Sequence, residues 1–269
     1  MRILVVGVRQ LDAGKTTFTR GLVSATGLRA YKPRAGNDRW YDHDAYRKTL
    51  DEGLLVGKDT RLLARAQPDA SSLKYINPIH RLWGPSFEPA GGMHDRPYRE
   101  FLVDRAGETH VVNATVELPA ELRRALPLEG AVEVTSIREM NEVVEEHYIP
   151  LLERWEAQVA TENGLVVESY GDIAAPVQTL SFDIVAAVEP GRVRYFDGNR
   201  YEEACKNIPR RAREGTMEPI VEDVIAGLSS LETVDLPPLT GAARKSPADI
   251  ARAYREAYEV AWDHLGTRA

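Results

Sequence analysis

Residues 2–17 read RILVVGVRQLDAGKTT: an unbroken apolar run, a glycine, a short polar stretch, then Gly-Lys-Thr-Thr. A short apolar run ended by glycine is the pattern of a parallel strand buried on both faces. KTTFTRGLVSATG continues as a helix, with Phe18, Leu22 and Val23 on one side and Gly27 as its stop. LRAYKP supplies a second strand, which completes a βαβ unit in about thirty residues. The chain therefore opens as an α/β fold, and a mainly parallel central sheet is expected.

The loop between that strand and helix nearly matches G-x-x-x-x-G-K-[ST], the phosphate-binding pattern. Counting back from Gly14, the first glycine of the pattern falls on Arg9, and six residues rather than four separate Gly7 from Gly14. The chemistry survives the change in loop size. Backbone N–H groups at the helix start can surround a β-phosphate, Lys15 can neutralise β and γ oxygens, and the Thr16 hydroxyl can ligate Mg²⁺. Asp12, Ala13, Gly14, Lys15, Thr16 and Thr17 are accordingly the candidate nucleotide-binding residues.

Charge and cysteine content narrow the class. There are 34 basic and 41 acidic residues, a net charge of -7, and the basic ones are scattered. Nucleic acid is not the expected partner. Cys205 is the single cysteine, which leaves no internal disulfide and no cysteine-built metal site. The apolar run ILVVGV is too short for a membrane helix and leads straight into the loop. A cytoplasmic protein with no membrane partner is expected.

Further along, DRWYDHDAYRKTLDEG and KDTRLLARAQPD read as two short helices, and residues 77–97 as an ordered surface loop rich in Pro, Gly, Trp and Phe. REFLVDRAGETHVVNATVEL predicts a β-hairpin, an insertion of about residues 90–130 on the main sheet. In TSIREMNEVVEEHYIPLLERWEAQV, Ile137, Met140, Val143, Val144 and Tyr148 recur at helical spacing, and Pro150 should interrupt the helix. GLVVESYG, SFDIVAAVEPG and RVRYFDG read as strands. The remainder, about 199–269, reads as a helical C-terminal extension, with DLPPLTGAARKSP as its linker. No repeat divides the chain, so 1–269 is taken as a single domain.

Four stretches together resemble the dethiobiotin synthetase and cobyric acid synthase group of P-loop ATPases. DAGKTT is similar to that group's E-V-G-K-T loop, and YKPRAG (31–36) to Y-K-P-V-x-x-G. KDTRLLARAQ through YINPIHRLWGPSFEP (58–89) is similar to S-D-A-x-x-L followed by V-N-P-Y and a proline-rich loop. LVVESYGDIAAPV (165–177) resembles V-V-E-G-A-G-G-x-x-x-P. The likeness runs from residue 1 to about 190. It is closer still to an archaeal family described as predicted P-loop ATPases or GTPases, which begins with a DSGKTT type of loop.

The resemblance implies a three-layer P-loop NTPase that uses Mg²⁺ and ATP (or GTP). Lys15 and Thr16 correspond to phosphate and metal contacts. Asp59 and Glu168 correspond to the acidic metal ligands, with Asp38, Asp42 and Asp44 as alternatives to Asp59. Lys32 corresponds to the lysine that neutralises the reacting oxyanion, so Lys15 and Lys32 are the catalytic candidates. Glu168 also stands out by position, since a carboxylate at the C-terminal end of a buried parallel strand faces the crevice where α/β sheets bind ligands. Ser169, Tyr170 and Asp172 stand where the group has glycines, and its adenine-reading Asn-His pair has no counterpart in VEPGRVRYFDGN. The likeness thus implies a superfamily rather than a reaction or a base.

Two functions follow as expectations. One is phosphoryl transfer or hydrolysis, with an unidentified carboxylate-like small molecule as acceptor, in a ligase- or kinase-like step. The other is a nucleotide-dependent switch acting through a homodimer or partner interface. The six histidines form no pair at metal-ligand spacing and read as structural or surface residues. Trp83, Phe87 and Tyr98 read as anchors of the 75–101 loop, with a substrate pocket as the alternative. PRRAREG (209–215) reads as a solvated basic face, with an anionic ligand as the lesser alternative.

Overall fold

The computed structural model describes residues 1–9, 12–69, 71–86, 99–208, 211–213 and 216–266. The apolar N-terminal run forms β1 (Arg2–Gly7), and the helix after the loop is α1 (Lys15–Thr26). β2 (Arg29–Tyr31) and β3 (Arg34–Asp38) follow, parted by Lys32 and Pro33. Then come α2 (His43–Glu52), α3 (Lys58–Ala66) and the single turn α4 (Leu73–Ile76).

β4 (Ile79–Pro85), β5 (Arg99–Ala106) and β6 (Thr109–Asn113) precede α5 (Ala120–Ala125) and β7 (Val132–Val134). A long helical stretch follows as α6 (Ile137–Val143), a π-helical turn (Val144–Tyr148) and α7 (Ile149–Val159). The π turn lies where Pro150, in the first turn of α7, supplies no N–H to the ladder. The last part holds β8 (Leu165–Glu168), β9 (Ile184–Glu189), β10 (Arg192–Asp197), α8 (Gly198–Asn207), β11 (Arg211–Arg213) and β12 (Thr216–Glu218). α9 (Val221–Ala226), β13 (Glu232–Asp235), α10 (Pro247–Ala253) and α11 (Arg255–Gly266) complete it.

These elements make an α/β architecture with two mixed sheets. The larger has six strands in the order β13-β10-β9-β1-β8-β2. Its β2, β8, β1 and β9 are mutually parallel, while β10 runs antiparallel to both of its neighbours, β9 and the edge strand β13. Because side chains alternate along a strand, Ile3 and Val5 of β1 enter one core with Phe18, Leu22 and Val23 of α1 and with Tyr258 of α11. Leu4 and Val6 enter the opposite core with Trp155 of α7 and Tyr201 of α8. Helices therefore cover both faces of this sheet. The C-terminal helices are pinned to α1: the Tyr258 hydroxyl donates to the Phe18 carbonyl, and Arg20 donates to the carbonyls of Arg244 and Lys245.

The second sheet has five strands in the order β3-β4-β5-β6-β7. Its two faces carry separate cores, one with Trp83 and Met140, the other with Tyr46 and Leu122. Here sequence and structure part. The β5–β6 hairpin is present, with Gly107 in its turn, but it belongs to this separate sheet rather than sitting on the main one. The sheet spans Arg34 to Val134, wider than the 90–130 insertion expected.

Residues 79–85, read as part of a surface loop, are the interior strand β4, and Trp83 is buried in it. Phe87 and Tyr98 lie outside the described residues. The C-terminal third also contains strands that a helical reading omitted: β13 on the edge of the main sheet and the β11–β12 pair. The described part of PRRAREG falls in that pair. Among the described residues no helix is long and apolar enough to cross a membrane.

Candidate functional site

The site is built where β1 gives way to α1. The Val8 N–H donates to the Val188 carbonyl of β9, and the Ser169 N–H to the Val5 carbonyl, so the loop starts from three strands locked in register. Gly14, the N-cap of α1, has φ 92°, a left-handed conformation that glycine adopts without a Cβ clash. No side chain caps α1 and no acidic residue stands in its first turn. Its leading N–H groups and the positive end of its dipole are thereby left for an anion.

Lys15 folds back over the loop. A Cβ at Gly7 would lie 2.7 Å from Lys15 Nζ, so glycine is what lets the lysine lie there. Its ammonium donates to the Gly171 carbonyl at 2.5 Å. Burial, and then the positive charge of Lys32, lower the Lys15 pKa to about 8, against the pull of Glu168, Asp59 and Asp172.

The remaining groups converge from four elements. Thr16, in the first turn of α1, donates its hydroxyl to Glu168 Oε1 at 2.6 Å. Glu168 ends β8 and is wholly buried. Lys32, just past β2 and 4 % exposed, places its ammonium 2.8 Å from the same oxygen and 2.5 Å from Asp59 Oδ2. Asp59 lies in the first turn of α3, and its side chain is 44 % exposed, which leaves this carboxylate the one open to solvent.

The charges reinforce one another. Burial opposes the Lys32 charge, but the two carboxylates outweigh it and raise the lysine above its ordinary range. Desolvation pushes the Asp59 carboxyl up, and the Lys32 charge and hydrogen bond, with the charge of Lys15, bring it below its ordinary range.

The sequence candidates thus divide. Lys15, Thr16, Lys32, Asp59 and Glu168 come together. Ala13 is buried and Thr17 half-buried beside them in sequence. Asp12 is exposed at φ 54°, and no hydrogen bond ties it to Thr16, Asp59 or Glu168. Asp38 accepts the N–H groups of Trp40 and Tyr41, and Asp42 accepts that of Asp38; both are spent on the local turn. His80 is buried between Asn77 and Asn37, a structural histidine whose pKa burial pushes well down. Sequence reasoning missed the Gly171 carbonyl as a partner of Lys15, since a backbone acceptor carries no residue signal.

Thr16, Asp59 and Glu168 form a hard-oxygen set of the kind Mg²⁺ takes, one that needs only one or two carboxylates because the ion keeps several waters. No group of three or more His, Cys, Asp or Glu residues suited to a metal occurs among the described residues. Glu168 Oε2 is nonetheless a buried acceptor with no hydrogen-bond partner. An orphaned carboxylate oxygen is costly, and an added cation or its water would satisfy it.

Beyond the 169–173 loop a cleft of about 510 Å³ opens between the two sheets. Met140, Leu152 and Phe182 give it apolar walls; Arg34, Arg81 and Tyr170 give it polar ones. The Arg34 guanidinium lies 4.4 Å from the Tyr170 ring centroid and pairs with Glu218, which also accepts the Tyr170 hydroxyl. Arg81 is held by Asp104 through two hydrogen bonds, and Tyr148 donates to the same carboxylate. Its size and mixed lining are those of a small-molecule site. No protein-family model matches this chain, and no curated protein matches it.

Proposed function

We propose that this protein is a P-loop nucleotide-binding enzyme that transfers the γ-phosphoryl group of ATP or GTP, with Mg²⁺, to a carboxylate-like small molecule. The observation that carries the reading is the meeting of Thr16, Lys32, Asp59 and Glu168 at the open N-terminus of α1, behind a Gly-Lys-Thr loop. Four elements bring two cations, two anions and a hydroxyl to one point, an expensive arrangement to bury unless charge is handled there. The 169–173 loop connects this point to the cleft, where the acceptor would sit.

In that reading the α1 N–H groups and Lys15 receive the β- and γ-phosphates, and Thr16, Glu168 and Asp59 would hold the Mg²⁺. The metal supplies charge neutralisation to the phosphate oxygens when bound. An acceptor carboxylate oxygen attacks the γ-phosphorus in line; the bond to the β,γ-bridging oxygen breaks, and the nucleoside diphosphate leaves with the electron pair. Lys15 and Lys32 stabilise the equatorial oxygens, so positioning and electrostatics supply most of the rate. Capture of the acyl phosphate by an amine would yield an amide and inorganic phosphate.

The test is binding of a fluorescent ATP or GTP analogue with Mg²⁺, followed by phosphate release, in the natural chain and in Lys15→Ala. Binding and metal-dependent turnover are expected in the first and loss of turnover in the second. No binding at millimolar nucleotide would end the proposal. One observation favours a switch instead: Trp40 and Tyr41 are 73 % and 86 % exposed beside each other, a surface of the kind partner proteins use. Turnover that a protein partner accelerates and no small molecule does would favour that second reading.

A further inference from the structure

We infer that Lys32 is the resident cation of the carboxylate site, and that a divalent metal ion enters it only together with nucleotide, displacing the lysine from Asp59 and Glu168. This deepens the nucleotide-binding reading above and rests on it. The Lys32 ammonium stands within hydrogen-bond distance of both carboxylates that the metal would need, and the Thr16 hydroxyl is bonded to the same Glu168 oxygen. A lysine occupies the focus of the donor set.

The backbone of Lys32 is fixed while its side chain is the part able to move. Its N–H donates to the Ile76 carbonyl at 2.8 Å, its carbonyl accepts from Asn77 Nδ2 at 2.8 Å, and Pro33 restricts its conformation from the other side. A change of side-chain rotamer is thus enough to withdraw the ammonium without disturbing the sheet. Glu168 cannot follow it, because it is wholly buried on β8.

Charge counting decides the order of events. With Lys32 in place and Lys15 beside it, the two carboxylates face two ammonium groups. Adding a bare divalent ion would set four positive charges against those two negative ones in a partly buried site, where like charges a few ångströms apart repel strongly. The ion would also have to shed part of its hydration for a set of only two carboxylates and a hydroxyl. A triphosphate tail reverses this balance by adding several negative charges. The ammonium then moves to the phosphate oxygens, the metal meets the freed carboxylates, and Glu168 Oε2 gains the partner it lacks. Lys32 in this account keeps the site neutral without ligand and is delivered to the reacting oxygens by the binding event.

Mn²⁺ is the probe, because its free-ion electron paramagnetic resonance signal disappears on binding and reads occupancy without turnover. The full chain is titrated with Mn²⁺ alone and with Mn²⁺ plus a non-hydrolysable ATP analogue, and the Mn²⁺ that the analogue takes up in protein-free solution is subtracted. The natural chain should bind Mn²⁺ at least about tenfold more tightly with the analogue than without it, and Lys32→Met should gain at least about tenfold in nucleotide-free affinity. Lys32→Arg, which keeps the cation, should stay weak, and adding Glu168→Gln to Lys32→Met should remove the gain. Lys32→Gln serves as a second neutral variant should Lys32→Met fail to fold, as judged by near-ultraviolet circular dichroism.

Equal Mn²⁺ affinity in the natural chain with and without an analogue that itself binds, or no gain in either neutral variant, overturns the inference. Failure of the nucleotide reading has a different signature: neither ATP nor GTP analogues bind at all, while Lys32→Met still gains Mn²⁺. That result would leave Lys32 as the counter-ion and remove nucleotide from the account.

Discussion

Lys32 and Glu168 stand 136 residues apart in the chain, yet the lysine ammonium lies 2.8 Å from the glutamate Oε1 in the buried centre of the molecule. Glu168 is also the carboxylate that Thr16 engages. Glu168→Gln keeps the shape and removes the charge on which both contacts depend. Metal-dependent turnover should fall by about a hundredfold or more with the melting temperature little changed. Phosphate release at saturating Mg²⁺ measures it, and turnover within about threefold of the natural chain would remove Glu168 from the machinery.

Lys15 gives a pH dependence with a definite sign. Its pKa is lowered from 10.5 to about 8 by burial and by Lys32. In the free protein the ammonium is therefore present below about 8 and lost above it. A bound triphosphate would hold the proton, so nucleotide binding should take up close to one proton between about 8 and 10.5 and weaken as pH rises through that window. Calorimetric titration at about pH 9 in two buffers of different ionisation enthalpy reads the uptake directly. Identical heats in both buffers would contradict it.

Gly7→Ala tests the path of Lys15. The new methyl group would sit 2.7 Å from Lys15 Nζ and 3.0 Å from Ala13 Cβ. The flexible lysine end must move, so nucleotide affinity should drop by about tenfold or more, while stability falls by only about 1–3 kcal/mol. Analogue binding and urea denaturation separate the two effects.

Arg105→Met probes the support behind Asp59. Arg105 is buried in the second sheet and donates to the carbonyls of Leu55, Asn77 and Pro78. Burial lowers its pKa to about 10, so it remains a cation at neutral pH. Removing it leaves buried carbonyl oxygens unpaired, at a cost of about 3 kcal/mol or more. The Leu55 carbonyl lies just ahead of α3, so Mn²⁺ binding with nucleotide should weaken as well. A urea midpoint within error of the natural chain would show that these carbonyls find other partners.

The elements legible in the sequence are those whose burial is local. β1 announces itself as a continuous apolar run, α1 by its Phe18, Leu22 and Val23 face, and β8 by LVVE at the head of a loop. β3 was not legible: RAGND has no alternation, and its strand form comes from a parallel partner more than forty residues later, Arg34 pairing with Ile79. β4 was hidden by Trp, Gly and Pro, which read as loop until Gly84 is seen against the Leu102 side chain. Among the site residues, the two lysines, Thr16, Asp59 and Glu168 carry charge or a hydroxyl in a quoted motif. Asp12 belongs to the same loop, where it is exposed and has a left-handed backbone. The Arg34, Tyr170 and Glu218 cluster joins three distant segments, for which spacing offers no signal.

β8 lies between β1 and β2 in the main sheet, although the entire second sheet is spelled out between Tyr31 and Leu165. During synthesis, β1 and β2 therefore emerge with no strand to join them, whereas the second sheet has all its strands by Val134. Non-local parallel pairing of this kind is slow to form. The second sheet is placed to fold first, and closure of the main sheet waits for a four-residue strand that also delivers Glu168. A partly made chain carries the loop and both lysines, and it has no site.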